Sequence, residues 1–330
     1  MVTAEIKCGL KGAGNTNLNN TATSVILTTY NRAPLVPRAV ESVLRQTFTD
    51  FELIIIVDGS TDDTMQRLEP YQNRARIIYQ PNAGLGAARN HGLELARARY
   101  VAFVDDDDAW HPDKLRLQME FFASRTECSM VITAAASAEK PTQPLDNVLV
   151  CRDAARIVNR PLKLKSVGKI LIVPSTIMFD RQLAPNASFY AVKGCLEDIT
   201  FLVEVLACGK LGVAGDKPLV FMGIGSSNSL GTSAQSWILG RTHMRKLASQ
   251  NKLGPAAGPY AADVRAFLGY LGRTTAVVAM RQGKTAAAMD AYTREFWHQL
   301  RLGRVKFLAG FPLVMIKRQM PRLWRREKPV

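Results

Sequence analysis

Four consecutive aspartates, Asp105 to Asp108, follow the apolar run Tyr100-Val101-Ala102-Phe103-Val104, and Trp110, Pro112 and Asp113 come after them. A short apolar run bounded by polar residues reads as a buried strand, so the carboxylates fall where that strand leaves its sheet. Four like charges in a row repel one another, and such a cluster is exposed or bound to something positive. At the C-terminal edge of a strand in an α/β sheet, where ligands bind, a divalent cation with oxygen ligands is the economical partner. The competing reading of this segment is a solvated acidic turn that caps a helix starting near Pro112.

A second carboxylate stands at the end of another strand-like run, in Val57-Asp58-Gly59-Ser60-Thr61-Asp62-Asp63. There a carboxylate can accept a bond from a base N–H, and a Gly-Ser turn lets the backbone approach a ligand closely. Taken alone, the segment is also an ordinary turn and helix cap. Thr28-Thr29-Tyr30-Asn31-Arg32 ends the first strand and offers neither G-x-G-x-x-G nor a P-loop. Gly283-Lys284-Thr285 lacks the upstream glycine, and Gly84-Leu85-Gly86-Ala87-Ala88-Arg89 ends in Arg. A dinucleotide-dependent oxidoreductase and a P-loop NTPase are excluded.

Alternating strand and helix patterns must position these loops. Strands are expected at 24–29, 52–57, 76–79, 100–104 and 130–133, and helices at 35–46, 62–71, 86–97 and 112–123. Such alternation implies an α/β fold with a mostly parallel twisted sheet and helices on both faces. The 330 residues allow one large domain and an appendage. No stretch reaches the roughly 20 apolar residues needed to span a bilayer. Residues 1–22 are Gly-, Asn- and Thr-rich and read as a disordered lead rather than a signal peptide. The five cysteines, without C-x-x-C spacing, fit reduced thiols in a cytoplasmic protein.

The net charge is +15, and residues 301–330 hold nine Lys or Arg against one Glu, a local +8. Such a basic balance could mean nucleic acid, an anionic membrane or a phosphorylated substrate. No helix-turn-helix, zinc-finger or RNA-recognition pattern favours nucleic acid.

Five ordered motifs together resemble the family 2 glycosyltransferases of GT-A fold, within the nucleotide-diphospho-sugar transferase superfamily. They are Ser24–Arg32, Gln46–Leu53, Asp58-Gly59-Ser60-Thr61-Asp62, Asn82–Gly92 and the acidic run with Trp110 and Pro112. The resemblance continues more weakly through Pro174–Phe179 to Glu197-Asp198 and fades after about residue 225. It implies a GT-A domain at 23–225 and leaves 226–330 as a helical C-terminal region with a basic tail.

The resemblance also implies roles. Thr28 and Tyr30 would line the nucleotide pocket, and Asp58 would bond the base, although Val57 stands where many members have another aspartate. Arg89 matches a residue near the nucleotide and would suit a diphosphate; an exposed helix-face arginine is the alternative. The D-x-D pair corresponds to Asp105 and Asp107, with Asp107 holding Mg²⁺ or Mn²⁺ and Asp105 nearer the ribose; Asp106 would assist with the nucleotide and Asp108 cap the next helix. Asp198 of the Glu197-Asp198 pair would be the base, at a helix start where a carboxylate is stabilised; its alternative is a plain N-cap. The histidines, His91, His111, His243 and His298, are expected to be surface or core residues. One base without a nucleophile implies single displacement and inversion at the anomeric carbon, so that an α-linked nucleotide D-sugar gives a β-linked product.

The expected partners are a UDP- or dTDP-type sugar donor and a saccharide or lipid-linked saccharide acceptor of cell-surface polysaccharide synthesis. A sugar nucleotidyltransferase and a catalytically silent scaffold are the rivals. The tail has two readings. Phe307–Ile316 with Trp324 and flanking basic residues forms an interfacial anchor on an anionic inner leaflet, or the helix packs on the protein with a solvated basic end. Lipid-linked acceptors, common in the family, favour the first and a peripheral location on the inner membrane face.

Overall fold

The computed structural model describes residues 21–138, 155–161, 171–192, 197–223, 233–250 and 261–324, with side chains to Met315. The expected lead 1–22 falls almost wholly outside this set, as do the side chain of Trp324 and the basic residues after it. Nine strands are described: β1 Thr23–Thr29, β2 Phe51–Asp58, β3 Arg76–Gln80, β4 Tyr100–Asp105, β5 Ala109–Trp110, β6 Cys128–Ala138, β7 Arg156–Val158, β8 Ile177–Asp180 and β9 Lys210–Gly223. The α-helices described are α1 Val36–Leu44, α2 Thr64–Leu68, α3 Leu85–Leu95, α4 Lys114–Ser124, α5 Glu197–Ala207, α6 Ala234–Ser249, α7 Ala261–Arg281, α8 Thr285–Arg301 and α9 Val305–Trp324. The helix expected at 62–71 is cut short: Pro70 lacks a donor N–H, and the chain tightens into a single 3-10 turn at Glu69–Tyr71.

All nine strands form one sheet in the order β3-β2-β1-β4-β8-β6-β9-β5, with β7 also paired to β9. The expected parallel sheet is its first half, β3-β2-β1-β4. The second half is mixed, because β8 runs antiparallel to both β4 and β6, and β9 runs parallel to β6 but antiparallel to β5 and β7. Side chains alternate across the sheet with period two. Ile26, Ile54, Ile56 and Phe103 pack on one face with α3 and α5. Val25, Leu27, Ile55, Val57 and Val104 pack on the other with α1 and α4. Each of these fully buried side chains contributes on the order of 1.5–3 kcal/mol relative to exposure, which makes the strands a fixed platform for the loops at their ends.

The C-terminal helices divide. Met244 of α6 and Phe267 and Leu271 of α7 join the first core. Ala276 and Ala279, Ala288, Ala291 and Tyr292, and Leu308, Phe311 and Met315 form a separate cluster that binds α7, α8 and α9 together. Leu308, Phe311 and Met315 of the apolar run expected as an anchor therefore face inward. Among the described residues, no helix is long and apolar enough to cross a membrane.

Candidate active site

Register brings the motif residues to one edge of the parallel strands. Thr28 sits directly beside Asp105 on β4 and beside Ile56 on β2, while Asp58 sits beside Gln80 on β3. Thr28 is buried and Tyr30 is about half exposed at the rim.

The first two loops are knit to each other. Asn31 adopts the left-handed conformation (φ 52°), which a short polar side chain tolerates through local hydrogen bonds. Its Oδ1 accepts from the Thr61 N–H at 2.8 Å, and its own N–H donates to Ser60 Oγ at 3.0 Å. The Asp62 carboxylate accepts from the Ala33 N–H at 3.0 Å and from Thr64, and these hydrogen bonds hold its pKa below the usual value despite slight burial. Gly59 has φ 75°, and a Cβ there would lie 2.5 Å from the Asn82 nitrogen, so the second loop touches the third backbone to backbone.

Asp58 is almost fully buried and organises that third loop. Its Oδ1 accepts from Gln80 Nε2 at 2.7 Å and the Ala83 N–H at 2.8 Å; Oδ2 accepts from the Gly84 N–H at 2.8 Å. Gln80 Oε1 in turn lies 2.6 Å from His91 Nδ1. His91, expected from the sequence to be only a surface or core residue, is thus joined to Asp58 through one side chain.

The acidic run forms a tight turn rather than a helix cap. The Asp108 N–H donates to the Asp105 carbonyl at 3.1 Å, and Asp108 Oδ1 accepts from the Gly223 N–H at the end of β9, at 3.0 Å. The expectation that Asp108 caps the next helix is corrected by this: the two residues of β5 intervene, and Asp113 is the N-cap of α4. The Asp105 N–H donates to the buried Ser175 Oγ at 2.9 Å, and the Asp107 carbonyl accepts from the Arg38 guanidinium. Burial pushes the Asp106 carboxyl up to about 7, with the charges of Asp107 and Asp105 adding and Thr29 and Arg32 offsetting in part. Burial and the Asp105 charge push Asp108 up to about 7 as well, and the same causes raise Asp107.

Arg89 joins this turn to the first turn of α5. It is 2% exposed, so the exposed-face alternative does not hold. One Nη donates to Asp105 Oδ1 at 2.7 Å and the other to Glu197 Oε1 at 2.8 Å. Its guanidinium lies 5.1 Å above the Phe189 ring, within an aromatic cluster in which Phe189 and Phe201 stack at 4.2 Å and Phe103 meets both edge-on. Burial works against the arginine's charge, and Asp105 and Glu197 more than offset it. Burial raises the Glu197 carboxyl; Arg89 opposes this and the neighbouring Asp198 charge adds to it. Asp198 itself is partly exposed in that first turn. Asn90 fixes the same junction, exchanging two hydrogen bonds with the Phe189 backbone, at 2.9 and 2.8 Å. Gly92 permits it, since a Cβ there would lie 2.4 Å from the Ile26 side chain.

Sequence reasoning missed Lys114. It is fully buried, lies 3.8 Å from the Trp110 ring centroid and donates to Gln118 Oε1 at 2.8 Å, and burial holds its pKa well below the usual value. Its signal was Trp110 four residues earlier, a surface on which an ammonium can lie. For a divalent cation, the chain offers hard carboxylate oxygens whose crowding a positive charge would relieve. Among the described residues no group of three or more potential metal ligands is gathered. The donor set fits a cation held by one or two aspartates, with other oxygen ligands completing the shell.

Comparison with known proteins agrees with this geometry. Residues 24–180 match the family model for glycosyl transferase family 2. TuaG of Bacillus subtilis (strain 168), named a teichuronic acid biosynthesis glycosyltransferase, is 36% identical over 163 residues, 48% of this chain and 62% of that protein. Escherichia coli chondroitin synthase is 37% identical over 127 residues, 38% of this chain and 18% of that protein. The chain thus spans less than two thirds of the length of these relatives. Among solved structures, S. aureus TarS 1-349 in complex with UDP-GlcNAc superposes with a TM-score of 0.58 at 18% identity, covering 86% of this chain and 92% of that one. The mannosyltransferase PcManGT from Pyrobaculum calidifontis, in complex with GDP-Man and Mn²⁺, gives 0.53 at 16% identity, covering 96% and 92%. At these identities the likeness is one of fold, the GT-A fold. By its motifs and its matched segment, the chain carries a glycosyl transferase family 2 domain over residues 24–180.

Proposed function

We propose that the chain transfers a sugar from a UDP- or dTDP-type nucleotide-diphospho-sugar to a hydroxyl of a saccharide or lipid-linked saccharide, with inversion at the anomeric carbon. The observation that carries this is the Arg89 bridge, which ties the acidic turn to the first turn of α5. A transferase of this kind needs a place for the leaving diphosphate next to a base for the incoming hydroxyl, and the bridge sets those two elements side by side. Thr28 and Tyr30 line the nucleotide pocket, and Asp58 meets the base from the buried end of β2. Asp105 and Asp107 hold Mg²⁺ or Mn²⁺, which when bound neutralises charge on the leaving diphosphate. Asp198 takes the proton of the acceptor hydroxyl. Arg89, with both Nη groups committed to carboxylates, positions Asp105 and Glu197 instead of gripping the donor. The names of TuaG and chondroitin synthase support a role in polysaccharide synthesis, and the complexes of TarS and PcManGT support a nucleotide-sugar donor. The basic tail favours work at the inner face of the membrane.

The test is release of nucleoside diphosphate from a panel of UDP-, dTDP- and GDP-sugars, with and without Mn²⁺, in the presence of saccharide acceptors. Release of UDP or dTDP with a β-linked product from an α-linked D-sugar donor is expected. Release of pyrophosphate from a sugar phosphate and a nucleoside triphosphate would instead make the chain a nucleotidyltransferase. Donor binding without turnover would make it a silent scaffold.

A further inference from the structure

The outward face of the α8–α9 hairpin carries apolar side chains beside the exposed Asp290–Arg294 pair, although its inner surface is already core. On α8, Met289, Thr293, Trp297 and Leu300 recur at helical spacing and all face solvent, with Trp297 70% exposed. On α9, Val305, Ala309 and Leu313 do the same, Val305 being 62% and Leu313 67% exposed. Opposite these stripes, Tyr292, Leu308, Phe311 and Met315 fill the core between the two helices. A helix that is apolar on both faces has a second partner, and contiguous exposed apolar surface marks an interaction site. The charge around the patch identifies the partner. From Phe296 to Arg326 the sequence contains no Asp or Glu, and exposed Arg301 and Lys306 flank the corner between the helices.

From this we infer that the α8–α9 hairpin is a membrane-docking surface, inserting Trp297, Leu300, Val305 and Leu313 into the headgroup region of an anionic bilayer while Arg301 and Lys306 meet its phosphates. A tryptophan and leucines beside basic residues, in a stretch free of Asp and Glu from Phe296 to Arg326, suit such an interface. This deepens the membrane-side reading proposed above and corrects its location. The anchoring side chains are the outward stripes of both helices, because Leu308, Phe311 and Met315 of the apolar run are buried.

The test is co-sedimentation of the full chain with phosphatidylglycerol/phosphatidylcholine vesicles and with phosphatidylcholine vesicles alone, at low and high salt. Binding to the anionic vesicles is expected, weakened by salt and reduced about tenfold or more by Trp297→Gln combined with Leu300→Gln, and by Arg301→Gln combined with Lys306→Gln. These side chains are exposed, so circular dichroism and melting should match the wild type. Equal binding to neutral vesicles, or anionic binding unchanged in the Trp297→Gln/Leu300→Gln variant, would overturn the inference. So would a lipid-free dimer that the same substitutions dissociate, since the stripes would then be a contact between copies. Donor turnover with a soluble acceptor separates this outcome from the catalytic reading: a wild type that turns over donor but does not bind anionic vesicles refutes only the surface, and one that docks without turnover refutes only the chemistry.

Discussion

Replacing Arg89 with methionine keeps most of the side-chain volume and removes a charge shared by two carboxylates. The Glu197 side chain is 9% exposed and that of Asp105 29%, so one anion is left almost fully buried and the other partly screened. Removing one partner of a buried pair costs about 3–5 kcal/mol, and the partial exposure of Asp105 puts this case at the lower end, about 3 kcal/mol. That is a large share of the roughly 5–15 kcal/mol that holds a domain together. Without the guanidinium, burial and Asp198 raise the Glu197 carboxyl further, and the first turn of α5 loses its tether to β4. Urea unfolding should show the loss of stability, and turnover should fall because Asp198 no longer has a fixed position. Arg89→Lys should rescue only partly, because one ammonium cannot reproduce a planar fork that holds two carboxylates. Adding Glu197→Gln to Arg89→Met should restore roughly 1–3 kcal/mol, since the stranded charge is gone. If Arg89→Met unfolded within about 0.5 kcal/mol of the wild type, or if the double variant were the sum of the two singles, the bridge would not be what joins the two halves of the site.

Asp198→Asn should leave donor affinity near that of the wild type and cut turnover on the order of a hundredfold or more; near-normal turnover would assign the base elsewhere. UDP or dTDP affinity should rise with Mn²⁺ in the wild type and lose that dependence in Asp107→Asn, as measured by calorimetric titration; affinity indifferent to metal in the wild type would remove Asp107 from the cation site. Lys114 gives a pH signature. Its folded pKa is depressed, so between that value and the unfolded value of about 10.4 the unfolded chain carries the extra proton. Stability therefore rises with pH across that window, with a slope of at most about 1.4 kcal/mol per unit, and Lys114→Met should flatten it and stabilise the protein at neutral pH. Parallel slopes in wild type and variant, from urea midpoints between pH 7 and 10, would count against a buried neutral lysine.

The elements that set the first half of the sheet were legible because their signals are local. Ser24–Thr29, Glu52–Val57 and Tyr100–Val104 are apolar runs bounded by turn residues, and β1, β2 and β4 follow them within one or two residues. Of the second half, the strand expected at 130–133 is part of β6, but the strand order was not legible, since an antiparallel β8 between β4 and β6 is decided by pairing across more than 40 residues. The same limit hid the partners of the site. Arg89 gives no local sign that it belongs to Glu197, 108 residues on, and nothing near Asp108 points to the Gly223 N–H. Lys114 opens a helix whose sequence would let it face water; its burial depends on Trp110 and Gln118 closing over it.

The family-matched segment ends at residue 180, yet two of the ties that shape the acidic turn come from beyond it: Glu197 for Arg89, and the Gly223 N–H for Asp108. β9, also beyond that limit, lies within the sheet, bonded to β6 on one side and to β5 and β7 on the other. A chain cut after residue 180 would keep the five leading motifs of the family and still expose a long edge of β6 to edge-to-edge association. The smallest autonomous piece of this protein therefore extends at least to Gly223. Transplanting the domain into a chimaera, or dissecting it for binding work, succeeds or fails at that strand and not at the limit of the recognisable sequence.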